Sequence, residues 1–257
     1  MDLGIRGRKA LLSGSSRGLG KACALALAQE GVDVTLVART RDILERTADE
    51  LRATGAKVTP VVGDVATPQG REAALAACPA PDILVNNADG RLPGDFRTWT
   101  RDDWISALDT MMLSHIEMIR LTVDGMMARG FGRIVNIVSR SVKIPQAELG
   151  LSNGARSGLV GFVAGLARQT VGRGVTINNL LPGPFDTDAQ REHVQGMVDA
   201  ERSFDQIWNA RVATNPAGRF GQPAELGAYC AFLCSANAGF VTGQNLLIDG
   251  GSYPGTY

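Results

Sequence analysis

The feature that most constrains the fold is an alternation of short apolar runs with longer amphipathic segments along the whole chain. The short runs have the length of buried strands, and the segments between them have the apolar spacing of helices. This alternation is typical of parallel strands in a sheet that helices cover on both faces. Because no repeat, low-complexity tract or linker divides the 257 residues, the sequence predicts one doubly wound α/β domain spanning 1–257 with a seven-stranded, mainly parallel sheet.

The apolar pattern also predicts where the strands and helices lie. Strands are predicted at residues 9–13, 33–38, 57–63, 82–86, 133–139, 176–181 and 245–249. Helices are predicted at residues 18–30, 41–54, 69–77, 101–129, 151–171 and 223–234, with Thr100 as the N-cap of the fourth. Residues 184–216 break the pattern, because aromatic and charged residues are mixed there. A long insertion after the carboxyl end of a strand is predicted to form a substrate lid.

Charge and composition exclude several classes of function. Lys plus Arg number 26, as do Asp plus Glu, so the formal charge is zero, which argues against nucleic acid and against a polybasic membrane anchor. No apolar run approaches the roughly 18 residues of a membrane-spanning helix, and no apolar signal stretch precedes the first strand. The four cysteines include no CxxC pair, so we expect reduced thiols, no metal site and a cytoplasmic location.

A glycine-rich turn joins the first predicted strand to the first helix. It reads Ser-Gly-Ser-Ser-Arg-Gly-Leu-Gly over residues 13–20. Its glycines allow a sharp turn and a close approach of the backbone to a pyrophosphate, and the helix N-terminus supplies free N–H groups. The sequence therefore predicts a dinucleotide site formed by Gly14, Ser16, Arg17, Gly18, Leu19 and Gly20.

The end of the second strand indicates which dinucleotide binds. An acidic residue about 20 positions beyond the loop would bind a ribose 2′-hydroxyl, but Arg39 stands 19 positions after Gly20 and no acid is nearby. Arg39 and Arg17 could together bind a 2′-phosphate through charge-assisted hydrogen bonds. We therefore predict NADP(H) rather than NAD(H); the alternative is that both arginines are simply solvated.

Several motifs in the same order resemble those of the short-chain dehydrogenase/reductase family, and of its 3-oxoacyl-carrier-protein-reductase-like members in particular. They are residues 13–20, Asp64-Val65, Asn86-Asn87-Ala88, the strand at 132–139, Leu181-Pro182-Gly183 with Thr187, Gly218-Arg219 and Asp249-Gly250-Gly251. The resemblance implies a Rossmann fold in which Asp64 and Val65 flank the adenine. It also implies cofactor contacts from Asn87, Ala88, Pro182, Gly183 and Thr187. A homo-tetramer or homo-dimer is what the family leads us to expect.

The family's catalytic Asn, Ser, Tyr and Lys are not all present. Ser139 stands at the position of the Ser, but Ser152 and Arg156 stand at those of the Tyr and the Lys, and Met111 at that of the Asn. A Ser hydroxyl is a far weaker acid than a phenol, and Arg stays protonated. Arg156 can still donate hydrogen bonds to ribose hydroxyls. We therefore take Ser139, Ser152 and Arg156 as the candidate catalytic residues, with Arg156 also a candidate for cofactor binding.

Other side chains could supply the missing proton. His193 lies in the predicted lid and could titrate near neutrality, and His115 shares a helix face with Met111. Asp89 and Glu148 are carboxylates near the expected mouth of the site. For all four, a surface or structural role is the default expectation.

These features predict an NADP(H)-dependent oxidoreductase that interconverts a ketone and a secondary alcohol of a small-molecule substrate, with an atypical active site. A non-redox enzyme on the same scaffold, or an inactive nucleotide-binding subunit, remains as an alternative. Arg191, Arg202 and Arg211 in the lid suggest an anionic substrate, against the simpler interpretation of a solvated charged face.

Overall fold

The computed structural model describes residues 1–256, and their strands form one sheet in which every pairing is parallel. The strands are Lys9–Ser13 (β1), Asp33–Ala38 (β2), Val58–Val62 (β3), Ile83–Asn86 (β4), Gly132–Ile137 (β5), Val175–Pro182 (β6) and Asn245–Ile248 (β7). Their order is β3-β2-β1-β4-β5-β6-β7. This arrangement confirms the predicted doubly wound α/β class.

The part of the chain that the structure describes holds nine α-helices. They are Gly18–Gln29 (α1), Arg41–Arg52 (α2), Pro68–Ala77 (α3), Arg101–Leu108 (α4), Ser114–Ala128 (α5), Gly150–Thr170 (α6), Asp188–Gln195 (α7), Phe204–Ala213 (α8) and Pro223–Leu233 (α9). The predicted helix at 101–129 is divided by a π-helical turn, Asp109–Leu113, between α4 and α5. The predicted lid at 184–216 contains α7 and α8.

Alternate residues of the inner strands pack into two separate cores. Leu12 and Leu36 belong to the core beneath α1, α2 and α9, whereas Leu11 and Val37 belong to the core beneath α3, α5 and α6. Strands buried on both faces need apolar residues at consecutive positions, which explains the continuous apolar runs in the sequence.

Local hydrogen bonds set the start of α4. The Thr100 hydroxyl accepts from the Asp103 backbone N–H, and the Asp103 carboxylate accepts from the Thr100 backbone N–H. This capping box satisfies donors that the first helical turn leaves free. The predicted N-cap at Thr100 is therefore confirmed.

Residues 1–256 contain neither a membrane-spanning helix nor a cluster of metal-ligating side chains. No helix among them is long and apolar enough to cross a membrane, and no group of three or more His, Cys, Asp or Glu side chains is arranged to hold a metal ion. The four cysteines are buried free thiols.

The strand order reverses between β1 and β4, which sends the connections after these strands in opposite directions. In open α/β sheets this reversal creates a crevice at the carboxyl ends of the strands, where ligands bind. The predicted glycine turn follows β1, and the Asn-Asn-Ala motif ends β4, so the fold places both at that crevice.

Candidate functional site

The glycine turn after β1 is shaped by close backbone contacts. Gly14 and Gly18 have φ angles of +56° and +57°, where side chains other than glycine are strained. A Cβ at Gly20 would lie 2.2 Å from the Gly14 carbonyl oxygen. No side chain caps the N-terminus of α1, so N–H groups of its first turn stay free for an anion.

A cleft of about 370 Å³ opens in front of this turn, at the reversal of the strand order. The predicted cofactor residues that line it are Gly14, Ser16, Arg17, Gly18, Leu19, Arg39, Asp64, Val65, Asn87, Ala88 and Thr187. Four predicted residues are not in its wall: Gly20, Arg156, Pro182 and Gly183. Gly20 lies beneath the turn, and Gly183 packs so tightly on Asp249 that a Cβ there would lie 2.7 Å from the Asp249 Cα.

Thr110 and Ser114 are among the polar side chains of the cleft that sequence reasoning missed. Both lie at the π-helical turn, and the Ser114 hydroxyl donates to the Thr110 carbonyl oxygen at 2.7 Å. Their spacing of four residues on a helix was a signal that they share a face. The extra residue of a π turn, which sets the direction of that face, has no comparable sequence signature.

The two arginines predicted to bind a 2′-phosphate already have carboxylate partners. Arg39 Nη2 lies 2.5 Å from Asp89 Oδ2, and Arg17 Nη1 lies 3.6 Å from Glu192 Oε1. All four side chains are largely exposed, and exposed ion pairs contribute at most about 1 kcal/mol. Each guanidinium is thus held at the cleft by a partner that a phosphate can replace.

Asn87 joins the end of β4 to the glycine turn. Its side-chain Nδ2 donates to the Gly14 carbonyl oxygen at 2.8 Å, and its backbone N–H donates to the Ser13 hydroxyl at 3.1 Å. Asp64 orders the next part of the wall, because its carboxylate accepts from the Ala66 N–H at 2.9 Å. These bonds hold the cleft open without a ligand.

The two candidate catalytic serines lie after β5 and in the first turn of α6. The Ser139 hydroxyl oxygen accepts from the Ser141 N–H at 3.1 Å, which leaves its proton free to be donated. Ser152 is buried, and its hydroxyl makes no side-chain hydrogen bond within residues 1–256. Both hydroxyls therefore have unused hydrogen-bonding capacity.

Arg156 joins the carboxyl ends of two strands. Its Nη1 donates to the Val138 carbonyl oxygen at 2.7 Å, and its Nη2 donates to the Ala88 carbonyl oxygen at 3.3 Å. Burial lowers the pKa of Arg156 to about 10, and the charge of Asp89 opposes that change. The guanidinium therefore remains charged at neutral pH, beside the residue that precedes Ser139.

Met111, which the sequence resemblance predicts at the position of the family's Asn, has an apolar side chain. It is 1% exposed and packs with Ala107, Leu151 and Ala155 between the π-helical turn and α6. A thioether in this cluster cannot donate a hydrogen bond, so this position contributes no polar group to the site.

The remaining candidate proton donors are poorly suited to that role. Burial and then the charge of Arg156 lower the pKa of His115 to about 3, so the imidazole is neutral. Burial and then the charge of Arg211 lower the pKa of His193, which also favours the neutral form. Asp89 pairs with Arg39, and Glu148 is exposed.

The chain is similar to known proteins over nearly its whole length. A family model described as enoyl-(acyl carrier protein) reductase matches residues 14–253. The chain is 32% identical over 255 residues to the 3-oxoacyl-(acyl-carrier-protein) reductase of Vibrio cholerae, covering 98% of this chain and 99% of that protein. It is 33% identical over 255 residues to the acetoacetyl-CoA reductase of Cupriavidus necator, covering 96% and 99%. The structure of L-sorbose reductase from Gluconobacter frateurii, complexed with NADPH and L-sorbose, superposes with a TM-score of 0.96 at 30% identity, covering 100% of both chains.

Proposed function

Because the chain belongs to the short-chain dehydrogenase/reductase family, we propose that it is an NADP(H)-dependent oxidoreductase that interconverts a ketone and a secondary alcohol. The predictions of an oxidoreductase and of NADP(H) are confirmed by these relatives, which are reductases, one of them in complex with NADPH. The finer proposal is that Ser152 and Arg156 stand in place of the family's Tyr and Lys, beside a Ser139 that corresponds to the family's Ser.

The residues of the cleft fit the cofactor. The glycine turn and the free N–H groups of α1 would hold the pyrophosphate, and Arg39 and Arg17 would hold the 2′-phosphate. Asp64 and Val65 would flank the adenine, and Asn87, Ala88 and Thr187 would line the path to the nicotinamide. The nicotinamide, when bound, supplies or accepts a hydride.

The chain's own residues would then orient the carbonyl and deliver the proton. The Ser139 hydroxyl donates a hydrogen bond to the carbonyl oxygen, since its own acceptor position is used by the Ser141 N–H. The Arg156 charge stabilises the alkoxide that forms. The alkoxide is a strong base and takes its proton from a water molecule held at Ser152, and the hydroxide that remains is neutralised by bulk solvent.

The observation that carries this proposal is the uncapped glycine turn, which faces Arg39 across a cleft that continues to Asn87 and Ala88. Loss of a positioned general acid costs about 10²- to 10⁴-fold in rate, but orientation of the reactants is a separate contribution. We therefore expect slow but real turnover.

Consumption of NADPH across a panel of ketones and acylthioesters tests this proposal. We expect steady consumption with at least one of them, and a fall of about 10- to 100-fold in kcat for Ser139→Ala, because one donor to the carbonyl oxygen is lost. Ser157→Ala, an exposed serine on the same helix as Ser152, is the matched control. Tight NADPH binding with no turnover, unchanged by Ser139→Ala, would favour an inactive nucleotide-binding subunit.

The double substitution Ser152→Tyr with Arg156→Lys tests the proton relay separately. If only the relay differs from that of the relatives, reductase activity rises in this variant. An unchanged rate in a variant that still binds NADPH would contradict that assignment, and would mean that the substrate pocket differs as well.

We also propose a homo-oligomer, as the family implies. Trp104, Ile105, Leu113 and Leu121 are large apolar side chains that stay at least partly exposed on α4, the π-helical turn and α5. Light scattering after size exclusion should give a dimer or tetramer; a monomer at micromolar concentration would contradict it.

A further inference from the structure

A second cavity, of about 450 Å³, lies between the lid helices and the segment that follows β5. Its volume is in the range of small-molecule sites. Met197, Ile207 and Phe220 give it apolar walls, and three arginines also line it, Arg140, Arg202 and Arg211. No Asp or Glu of the described chain is in its wall.

Arg211 is held in this cavity without a carboxylate partner. Its Nε is buried and has no hydrogen-bond partner within residues 1–256, and its Nη1 has only a weak contact with Met197 Sδ at 3.9 Å. Burial and then the charge of Arg140 lower the pKa of Arg211, so the two cations lie close enough to repel each other. A guanidinium stays charged even so, and a buried donor without a partner is costly.

Arg140 is the second cation without a carboxylate. Across residues 1–256, no Asp or Glu oxygen forms an ion pair with it. Other lid arginines differ: Arg191 Nη2 lies 2.7 Å from Asp186, and Arg202 Nη2 lies 2.6 Å from Asp199. A solvated charged face therefore accounts for Arg191. Arg202 lines the cavity with its charge already paired to Asp199, whereas Arg140 and Arg211 line it without a carboxylate partner.

Three connections link the wall of the cavity to segments that carry predicted site residues. Arg140 directly follows Ser139, and Pro184 of the cavity wall directly follows Gly183. The Gln146 carbonyl oxygen, also on the cavity side, accepts from Asn153 Nδ2 at 2.8 Å, next to Ser152. The wall of the cavity thus continues directly into the segment that carries Ser139 and is hydrogen-bonded to the helical turn that carries Ser152.

We propose that this cavity binds the anionic end of the substrate, a carboxylate or a phosphate monoester, between Arg140 and Arg211. Guanidiniums bind both groups through paired hydrogen bonds. The apolar walls hold the carbon chain, and the ketone points toward Ser139 and Ser152. This inference rests on the proposed reductase function for its substrate, but the anion site is testable by binding alone.

Matched ligands of one chain length test the site without turnover. Hexanoate, hexyl phosphate and neutral hexanamide are titrated in thermal-shift and calorimetric assays with saturating NADP⁺, which fills the other anion-binding cleft. We expect hexanoate or hexyl phosphate, but not hexanamide, to bind and stabilise the protein. The tighter of the two identifies the anion.

Substitutions assign the binding to the two arginines. Arg211→Gln and, separately, Arg140→Gln should each weaken anion binding at least ~10-fold, the loss of about one charge-assisted hydrogen bond. Arg173→Gln, which removes an exposed charge after α6, should leave binding unchanged. Equal binding of hexanoate and hexanamide, or anion binding that neither arginine variant weakens, would overturn the inference.

The rates of ketone reduction distinguish the proposed anion site from the proposed reductase function. Levulinate should be reduced with a kcat/KM at least ~10-fold higher than methyl levulinate, and Arg211→Gln should remove this preference. Reduction of both at equal rates overturns the anion site and leaves the reductase function standing. No reduction of either, with hexanoate binding that still depends on Arg211, refutes reduction of this substrate and leaves the anion site standing.

Discussion

Arg39 shows how a single residue can set the choice of cofactor. Its guanidinium lies at the end of β2 and pairs with Asp89 across the cleft, where an acidic residue at the Arg39 position would instead favour an unphosphorylated ribose. When a 2′-phosphate takes the place of the Asp89 carboxylate as the partner of Arg39, one exposed ion pair is exchanged for charge-assisted hydrogen bonds. The exchange costs little free energy because an exposed ion pair contributes little.

We predict that Arg39→Gln lowers the affinity for NADPH by about 10- to 100-fold, because hydrogen bonds to charged groups contribute about 1.5–3 kcal/mol. The affinity for NADH should hardly change. Arg41→Gln is the matched control, since Arg41 lies two residues away and pairs only with Glu45, outside the cleft. Isothermal titration of both cofactors into the three proteins measures this, and an equal loss for NADPH and NADH would contradict it.

Among single residues, those of the glycine turn could be recognised from the sequence because they follow a fixed motif. The proposed roles of Ser139, Ser152 and Arg156 also rest on their positions relative to motifs. The ion pair of Arg39 with Asp89 could not be recognised from the sequence, since 50 residues separate the partners and only the pairing of β1 with β2 and β4 brings them together. The two carbonyl contacts of Arg156 depend on the sheet in the same way.

Among the secondary-structure elements, α9 shows how a helix start is stabilised by charge. The Glu225 carboxylate accepts from the Gln222 backbone N–H at 2.7 Å and from both terminal nitrogens of Arg219, at 2.7 and 2.8 Å. The hydrogen bonds from Arg219, and then that from Gln222, lower the pKa of Glu225 to about 2.

This pKa predicts a pH-dependent stability. Because the folded value of about 2 lies below the ordinary 4.5, the contribution of Glu225 is complete above about pH 4.5 and is lost as the pH falls through about 2. Glu225→Gln should therefore lower the free energy of unfolding by about 0.5–1 kcal/mol near pH 7, a small value because the pair is exposed. Urea unfolding at several pH values should show this difference shrinking in acid. The exposed Glu72→Gln on α3 is the control, and a difference that grows in acid would refute the argument.

The elements were predictable to different degrees. Most predicted strands and helices agree with the structure within one or two residues at each end, because buried parallel strands and amphipathic helices have strong periodic signals. The π-helical turn at Asp109–Leu113 interrupts a pattern that is helical on both sides, so its apolar spacing resembles that of one long helix. The helices α7 and α8 are short and rich in charge, which hid them within a segment predicted only as a lid.

For the molecule as a whole, the packing of α1 against α9 joins the first and last parts of one core. Gly227 on α9 faces the backbone of α1 so closely that a Cβ there would lie 2.5 Å from the Ala22 carbonyl oxygen. Cys23, Cys230 and Cys234 are buried in the same core. The helix α1, which begins at the glycine turn, is thus supported by a helix from the far end of the chain.

We predict that Gly227→Ala lowers the free energy of unfolding by about 1–3 kcal/mol, since the added methyl group forces the two helices apart. Thermal unfolding should show a lower midpoint, and weaker NADPH binding should accompany it because α1 carries the phosphate turn. Gly172→Ala, where nothing lies within 4 Å of the added Cβ, is the control and should be close to neutral. A neutral Gly227→Ala would contradict the packing argument.

The whole molecule holds two cavities: one fits the cofactor, and the wall of the other includes Arg140, the residue that follows Ser139. The sequence predicted the first cavity through its motifs. It did not predict the second, because Arg140 and Arg211 are distant in the sequence and only the folded lid brings them together.

The most decisive measurement is the transfer of deuterium to a ketone from NADPH that is deuterated at both C4 positions. With levulinate or another ketone of the panel, mass spectrometry should find one deuterium on the carbinol carbon of the product for the wild-type chain, and much less product for Ser139→Ala. Saturable NADPH binding in the same samples, with no deuterated alcohol from any ketone or acylthioester of the panel, would contradict the claim that this chain is an oxidoreductase with a replaced proton relay.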